Sequence, residues 1–162
     1  MRQATLVVSR QALIHKEEMK VRKIRDIMTS DVETCTLLDN VFEVAVKMKE
    51  WNVGSIPIVD KDKLVGMITD RDIVIRGIAE KHPPSSKVET VMSDHLVTAT
   101  PDMSTKDATR LMAEQQIRRL PVVEDDKLVG IVALGDFAVN EMTDEQAQHA
   151  LSEISEPGNH MQ

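Results

Sequence analysis

The chain carries a second copy of itself. Residues 28–72 align with 92–136 at a constant offset of 64 residues and without a gap. Met28 falls on Met92, Thr34 on Thr98, Thr36 on Thr100, Met48 on Met112, Pro57 on Pro121 and Asp72 on Asp136. The run Asp62-Lys63-Leu64-Val65-Gly66 recurs as Asp126-Lys127-Leu128-Val129-Gly130. A repeat this long is a folded unit rather than a short solenoid motif. Two copies joined by a short linker predict a pseudo-twofold pair, with any site formed in duplicate between the halves. A copy of about 60 residues is marginal for an independent core, so the copies are expected to pack on each other as one cooperative module.

Each copy reads as strand, helix, strand, strand, helix, which makes the fold class α/β with two pseudo-twofold related β-α-β-β-α repeats. Val32 to Thr36 alternates into a short strand, matched by Leu96 to Thr100. A helix opens at Asn40, where Asn40 and Glu43 have the spacing of a capping box; Ser104 and Asp107 repeat it. Val41, Val44, Ala45 and Met48 follow at helical spacing and form one apolar stripe, as do Ala108, Leu111 and Met112. The β-branched run Val53 to Val59 contains Pro57, which lacks an N–H and suits a strand start or a sheet edge. The charged stretch 60–63 turns the chain, and Leu64 to Thr69 returns as a buried strand. Asp70 opens a second helix carrying Ile73, Val74 and Ile78. The expected organisation is an N-terminal arm (1–20), a first motif (21–81), a Pro-stiffened linker (82–87), a second motif (88–142) and an acidic tail (143–162). Two readings of the arm stay open: an ordinary N-terminal arm, or a natural start at Met19, since Lys16-Glu17-Glu18 is what an in-frame purine-rich ribosome-binding sequence would encode.

Composition excludes several classes of function. A net charge of −7 argues against nucleic acid as a partner, because phosphate binding needs a cationic face. Trp51, Phe42 and Phe137 are the only aromatics, too few for a base-stacking platform. No run of 18 apolar residues suggests a membrane span. A single cysteine, Cys35, excludes an internal disulfide and fits a reducing, cytoplasmic compartment; its place in an apolar strand predicts packing rather than reactivity. Met48, Met67, Met112 and Met142 fall at apolar positions and read as core filling. No hydrolytic, redox or metal-ligating motif is present, and none of the five His residues recurs between copies. No catalysis and no metal are therefore expected.

The stretch Gly66-Met67-Ile68-Thr69-Asp70-Arg71-Asp72 stands out. A buried strand ends in a hydroxyl, and a carboxylate follows three positions on. One reading is structural: Thr69 is an N-cap and Asp72 its box partner, worth about 1 kcal/mol. The other uses the same geometry for a ligand, since a helix N-terminus attracts phosphate and a carboxylate there can accept both hydroxyls of a ribose.

The full pattern, Val53-Gly54-Ser55-Ile56-Pro57 followed by Gly66-x-x-Thr69-x-x-Asp72, resembles the cystathionine-β-synthase (CBS) motif. Ile117-Arg118-Arg119-Leu120-Pro121 followed by Gly130-x-x-Ala133-x-x-Asp136 resembles it again. Two in tandem resemble a Bateman module over residues 22–142. The resemblance implies three-stranded sheets with helices outside, a homodimer, and an adenosine-containing ligand (AMP, ADP, ATP or a related adenosyl compound) in clefts between the motifs. It further implies that Asp72 and Asp136 hold ribose and that Thr69 contacts phosphate. Gly54, Ile56 and Pro57 would line the adenine pocket, with Thr34 and Thr36 at its border; Thr98, Thr100, Leu120 and Pro121 are their counterparts. Arg118 and Arg119, like Arg71, suit a polyphosphate or form surface ion pairs. Ala133 departs from the pattern by removing a hydroxyl, so the two sites are expected to be unequal. With no effector domain in the chain, a separate effector protein is implied. A different class of function stays open: a structural interaction subunit with vestigial sites.

Overall fold

The computed structural model describes residues 22–140 and, beyond them, Ser152. Expectations about residues 1–20, Met142 and most of the tail lie outside the described residues. Each half is built the same way. Strand β1 (Cys35–Thr36) leads to helix α1 (Val41–Trp51), then to hairpin β2 (Ser55–Asp60) and β3 (Lys63–Thr69). Helix α2 starts as an α-helical turn, Asp70–Asp72, and widens into a π-helical stretch, Ile73–Ile78. In the second half, α3 (Thr105–Gln115), β4 (Arg119–Glu124), β5 (Lys127–Ala133) and α4 (Leu134–Asn140) follow.

Local chemistry accounts for the element ends. Asn40 Oδ1 accepts the Glu43 N–H at 2.9 Å and Glu43 Oε2 accepts the Asn40 N–H at 2.7 Å, a complete capping box. Ser104 achieves only half of one: its Oγ accepts the Asp107 N–H, but the Asp107 carboxylate turns back onto that hydroxyl instead of the backbone. Both helices stop at a left-handed residue, Asn52 and Gln116. Each hairpin turns on two residues with positive φ, Lys61-Asp62 and Asp125-Asp126, the two-residue turn whose twist matches paired strands.

The five strands form one sheet in the order β1-β2-β3-β5-β4, with the halves meeting where Lys63 pairs with Lys127. The first strands are shorter than expected. Val32–Thr36 contributes only Cys35 and Thr36, and Leu96–Thr100 only a parallel bridge from Ala99 to Val122. The Asp39 turn closes the first strand where expected, Asp39 Oδ2 accepting both the Thr36 N–H and its hydroxyl; the loss is at the start, where Val32, Glu33 and Thr34 stay outside the pairing. Pro57 lies inside β2, not at its start. It faces Met67, which directs both its N–H and its C=O to Ser93 instead. No ladder bond is therefore lost where the proline lacks a donor.

The packed halves are not the sequence repeats. Residues 22–29 cross into the second half: Ile24 donates its N–H to the Met103 carbonyl, Thr29 pairs with Ile131, and Ile24 is fully buried in the second core with Met112, Leu120 and Phe137. Residues 86–93 cross the other way. Ser86 accepts the Val41 N–H, Ser93 pairs with Met67, and Val88 and Val91 are fully buried in the first core with Val44, Ile56 and Ile68. Gly66 and Gly130 exist for this crossing. A Cβ on Gly66 would lie 2.5 Å from the Met92 sulfur, and one on Gly130 would lie 2.6 Å from the Met28 sulfur.

Apolar spacing on α2 does not mean burial. Ile73 packs on the first core, but Val74 and Ile78 are 52% and 69% exposed. Ile78 lines an apolar groove of about 200 Å³ with Phe42, Pro83 and Pro84. No helix among the described residues is long and apolar enough to cross a membrane.

Candidate functional site

The first site gathers where β2 begins and β3 ends. Ser55 is in register with Thr69 across the hairpin. The Thr69 hydroxyl accepts the Asp72 N–H and Asp72 Oδ2 accepts the Thr69 N–H, each at 3.0 Å. The structural reading of this pair is thus realised in full. The other Asp72 oxygen, Oδ1, accepts from Arg76 Nη2 at 2.8 Å. The carboxylate is 16% exposed, and each of its oxygens already has one donor with room for a second. Gly54 leaves space for the Asp70 carboxylate, which would come within 3.1 Å of a Cβ there, and its carbonyl accepts the Asp70 N–H. Ser55 Oγ is buried and has no hydrogen-bond partner, an arrangement that normally costs about 1–3 kcal/mol. Ile56 and Pro57, further along β2, are buried beneath the site. The Arg71 guanidinium is exposed and unpaired among the described residues.

Thr34 is half-buried just before β1, one residue short of the Cys35–Ile58 pair and on its Pro57 side. Thr36 is opposite Val59, further from Ser55, and its hydroxyl is committed to Asp39. The nearby thiol of Cys35 is fully buried, and burial pushes its pKa up, so it is a packed, protonated thiol.

The second site repeats the frame with different chemistry. Arg119 is in register with Ala133, and Asp136 Oδ2 accepts the Ala133 N–H at 2.7 Å. Alanine offers no hydroxyl in return, so one of the two reciprocal bonds of the first site is missing. Arg118 replaces Gly54 and Leu134 replaces Asp70, and the carbonyl-to-amide bond between these positions is kept at 2.9 Å. Neither Arg118 nor Arg119 makes a side-chain hydrogen bond or ion pair among the described residues, and both are exposed. Leu120 and Pro121 are buried, Thr98 is half-buried and Thr100 exposed, flanking the Ala99 bridge.

Sequence reasoning missed Arg76. Asn140 stands at its offset in the second copy, so the repeat gave no signal. Its one legible trace was the spacing from Asp72, four residues on along a helix, which favours an ion pair.

The profile of the CBS domain matches this chain twice, over residues 24–77 and 88–140. The uncharacterized protein YlbB of Bacillus subtilis is 52% identical over 139 residues, spanning 85% of this chain and 94% of that one. Among solved structures, the hypoxic response protein with two coordinated zinc ions superposes with a TM-score of 0.69 at 34% identity, covering 74% of this chain and 99% of that one. The CBS domain pair of MJ0100, in complex with 5′-methylthioadenosine and S-adenosyl-L-methionine, gives 0.67 at 29% identity, covering 74% and 94%. Among the described residues, no three His, Cys, Asp or Glu side chains are grouped to hold a metal. The family profile, the duplicated frame and the shared fold agree: the chain belongs to the CBS-domain family, as a tandem CBS domain pair.

Proposed function

We propose that the protein is a non-catalytic regulatory module that binds an adenosine-containing ligand between its two CBS motifs and signals occupancy to a separate effector protein. The reading rests on the first site. A buried, unpartnered Ser55 Oγ lies across the hairpin from the Thr69–Asp72 pair, and the related MJ0100 pair carries adenosyl ligands. Asp72 accepts the ribose hydroxyls, Ser55 Oγ gains a partner, and Gly54, Ile56 and Pro57 line the base pocket. The two sites differ in charge. Asp70, Arg71, Asp72 and Arg76 balance at the first, whereas Arg118 and Arg119 outweigh Asp136 at the second. The first therefore favours an adenosyl compound with little net charge, and the second an adenine nucleotide with a phosphate chain. The module acts as a cytoplasmic homodimer, with the exposed Phe42 and Ile78 as the apolar area that a second copy covers.

Thermal unfolding against AMP, ATP, S-adenosylmethionine and 5′-methylthioadenosine tests this. A ligand at 100 times its dissociation constant adds about 2.7 kcal/mol, a midpoint rise of roughly 5–11 °C for a chain this size. Asp72→Asn leaves an oxygen for the Thr69 N–H but removes the charge, and the rise given by the first-site ligand should collapse relative to the variant's own baseline. A rise unaltered by Asp72→Asn refutes the first-site assignment. A flat panel on nucleotide-free protein favours the second reading, an interaction subunit with vestigial sites. The missing hydroxyl at Ala133 and the exposed apolar groove support that reading. With one Trp and no Tyr, co-purified nucleotide would dominate the absorbance at 260 nm.

A further inference from the structure

Arg76 joins three groups that belong to different parts of the duplicated sequence. Its Nη2 donates to Asp72 Oδ1 at 2.8 Å and to Ser93 Oγ at 2.6 Å, and its Nη1 donates to the Met92 carbonyl at 3.0 Å. Asp72 is the ribose carboxylate of the proposed first site. Met92 and Ser93 end the segment that crosses from the second repeat into the first half. That segment is held on β3 by the paired bonds between Ser93 and Met67 and by the fit of Met92 over Gly66. It continues directly into Asp94 and the body of the second repeat. Arg76 also lies in the π-helical stretch of α2, and such widened turns occur frequently at functional sites. The second half repeats the paired bonds, between Thr29 and Ile131, and the fit of a methionine, Met28, over Gly130, but it has no arginine at the equivalent position, which is Asn140, and its helix α4 is α-helical over Leu134–Asn140.

We infer that Arg76 is a positioning residue that couples occupancy of the first site to the hold of the crossing segment on β3. The inference rests on the first-site reading given above. Ribose hydroxyls donate to the same carboxylate oxygen that Arg76 now holds. A ribose hydroxyl takes the second acceptor position of Oδ1 and shares its charge with Arg76 Nη2, so the ion pair weakens, and the bonds to Ser93 Oγ and the Met92 carbonyl weaken with it. The junction between halves loosens at the first site only, because the second lacks the arginine. A ligand that distinguishes the two arrangements in this way shifts their balance by its differential affinity. Coupling of this kind is typically worth 5–150-fold in an equilibrium.

Residue-resolved amide hydrogen exchange of the full chain, with and without S-adenosylmethionine, 5′-methylthioadenosine or AMP at calorimetrically determined saturation, tests the coupling. The amides of Met67 and Ser93 should exchange about tenfold faster in the bound protein. Those of Thr29 and Ile131, the equivalent bridge of the second half, should show no such acceleration. In Arg76→Met, at the probe concentration that saturates that variant, the acceleration at Met67 and Ser93 should vanish, an effect that a merely structural role would not produce. If Arg76→Met does not fold cooperatively, Ser93→Ala takes its place: it keeps the pair with Asp72, removes one acceptor, and should shrink the acceleration. Binding without acceleration in the natural protein overturns the coupling, as does an equal acceleration in Arg76→Met or Ser93→Ala. Failure of every probe to bind, or binding indifferent to Asp72→Asn, instead overturns the first-site reading and the coupling with it.

Discussion

Gly66→Ala measures the crossing of the two repeats directly. No glycine among the described residues has a positive φ, so alanine can adopt the Gly66 backbone and the cost is one of space alone. The added methyl would sit 2.5 Å from the Met92 sulfur and 3.2 Å from its Cγ and Cε. Overpacking a closed contact costs about 1–3 kcal/mol. Restricting the unfolded chain returns about 0.4–1 kcal/mol. From the middle of each range, the net loss should be about 1 kcal/mol, a fall in unfolding midpoint of roughly 2–4 °C. The identity of the clashing partner is then tested by a double-mutant cycle in urea. Met92→Ala alone should destabilise by leaving a gap over β3, and Gly66→Ala should partly fill it. The double variant should therefore exceed the summed expectation by about 1 kcal/mol, well beyond the 0.3–0.5 kcal/mol scatter of independent sites. Gly130→Ala should cost more than Gly66→Ala, because its methyl also meets the Thr29 carbonyl oxygen at 3.0 Å, and backbone cannot rotate away. A neutral Gly66→Ala, or additivity with Met92→Ala, would show that segment 86–93 does not lie on β3.

Ala133→Thr should stabilise the protein by about 0.5–1 kcal/mol, by giving α4 the hydroxyl cap that Thr69 provides to α2; an unchanged urea midpoint would count against the equivalence of the two helix starts. Lys61→Gly should raise the urea midpoint without changing its slope, because relief of left-handed strain at φ 48°, about 1–2 kcal/mol, exceeds the entropy cost of about 0.4–1 kcal/mol. The pH response of Asp39 follows from its surroundings: burial raises its pKa, but the Lys47 ammonium at 2.6 Å and the Thr36 N–H and hydroxyl outweigh burial and leave it below the ordinary value. A depressed folded pKa gives stability that is present above the unfolded value, about 4, and is lost as pH falls through the folded one. The stability gap between the natural protein and Asp39→Asn should be constant from pH 5 to 7 and close below pH 4. A gap that persists at pH 2 would refute the assignment.

What was legible in the sequence was local or periodic. The capping boxes at Asn40 and Thr69 involve atoms three residues apart, so spacing alone located them. The hairpin turn at 61–62 followed from the charge run between apolar strands. The offset of 64 residues revealed that Met28 and Met92, and Gly66 and Gly130, matter twice. It could not reveal that Gly66 answers to Met92 and Gly130 to Met28, since a self-alignment pairs each residue with its equivalent and not with its neighbour in space. Val32–Thr36 reads as strand by alternation, yet only Cys35 and Thr36 pair with β2; alternation marks which residues face inward but not where a neighbouring strand begins. Ile73 and Ile78 read alike by period, but only the former meets the core. At the site, Thr69 and Asp72 were visible because they form a motif. Arg76 was not, because its partners Met92 and Ser93 come from a segment that only the crossing brings near.

The crossing changes what duplication means for this molecule. A repeat of this size is marginal on its own, and simple stacking of two such units would leave a separable interface. Exchanging residues 22–29 for 86–93 removes that possibility. Ile24, Val88 and Val91 are fully buried in the half opposite to their own repeat, and each such side chain contributes about 1.5–3 kcal/mol. Neither half has a complete core without the other repeat's segment. A perturbation at the end of β3 is therefore also a perturbation of chain that leads into the second repeat. Sensing at one end of the sheet needs no long pathway through the fold: the segment that completes the first core is the beginning of the second repeat, and Arg76 fastens it beside the carboxylate of the first site.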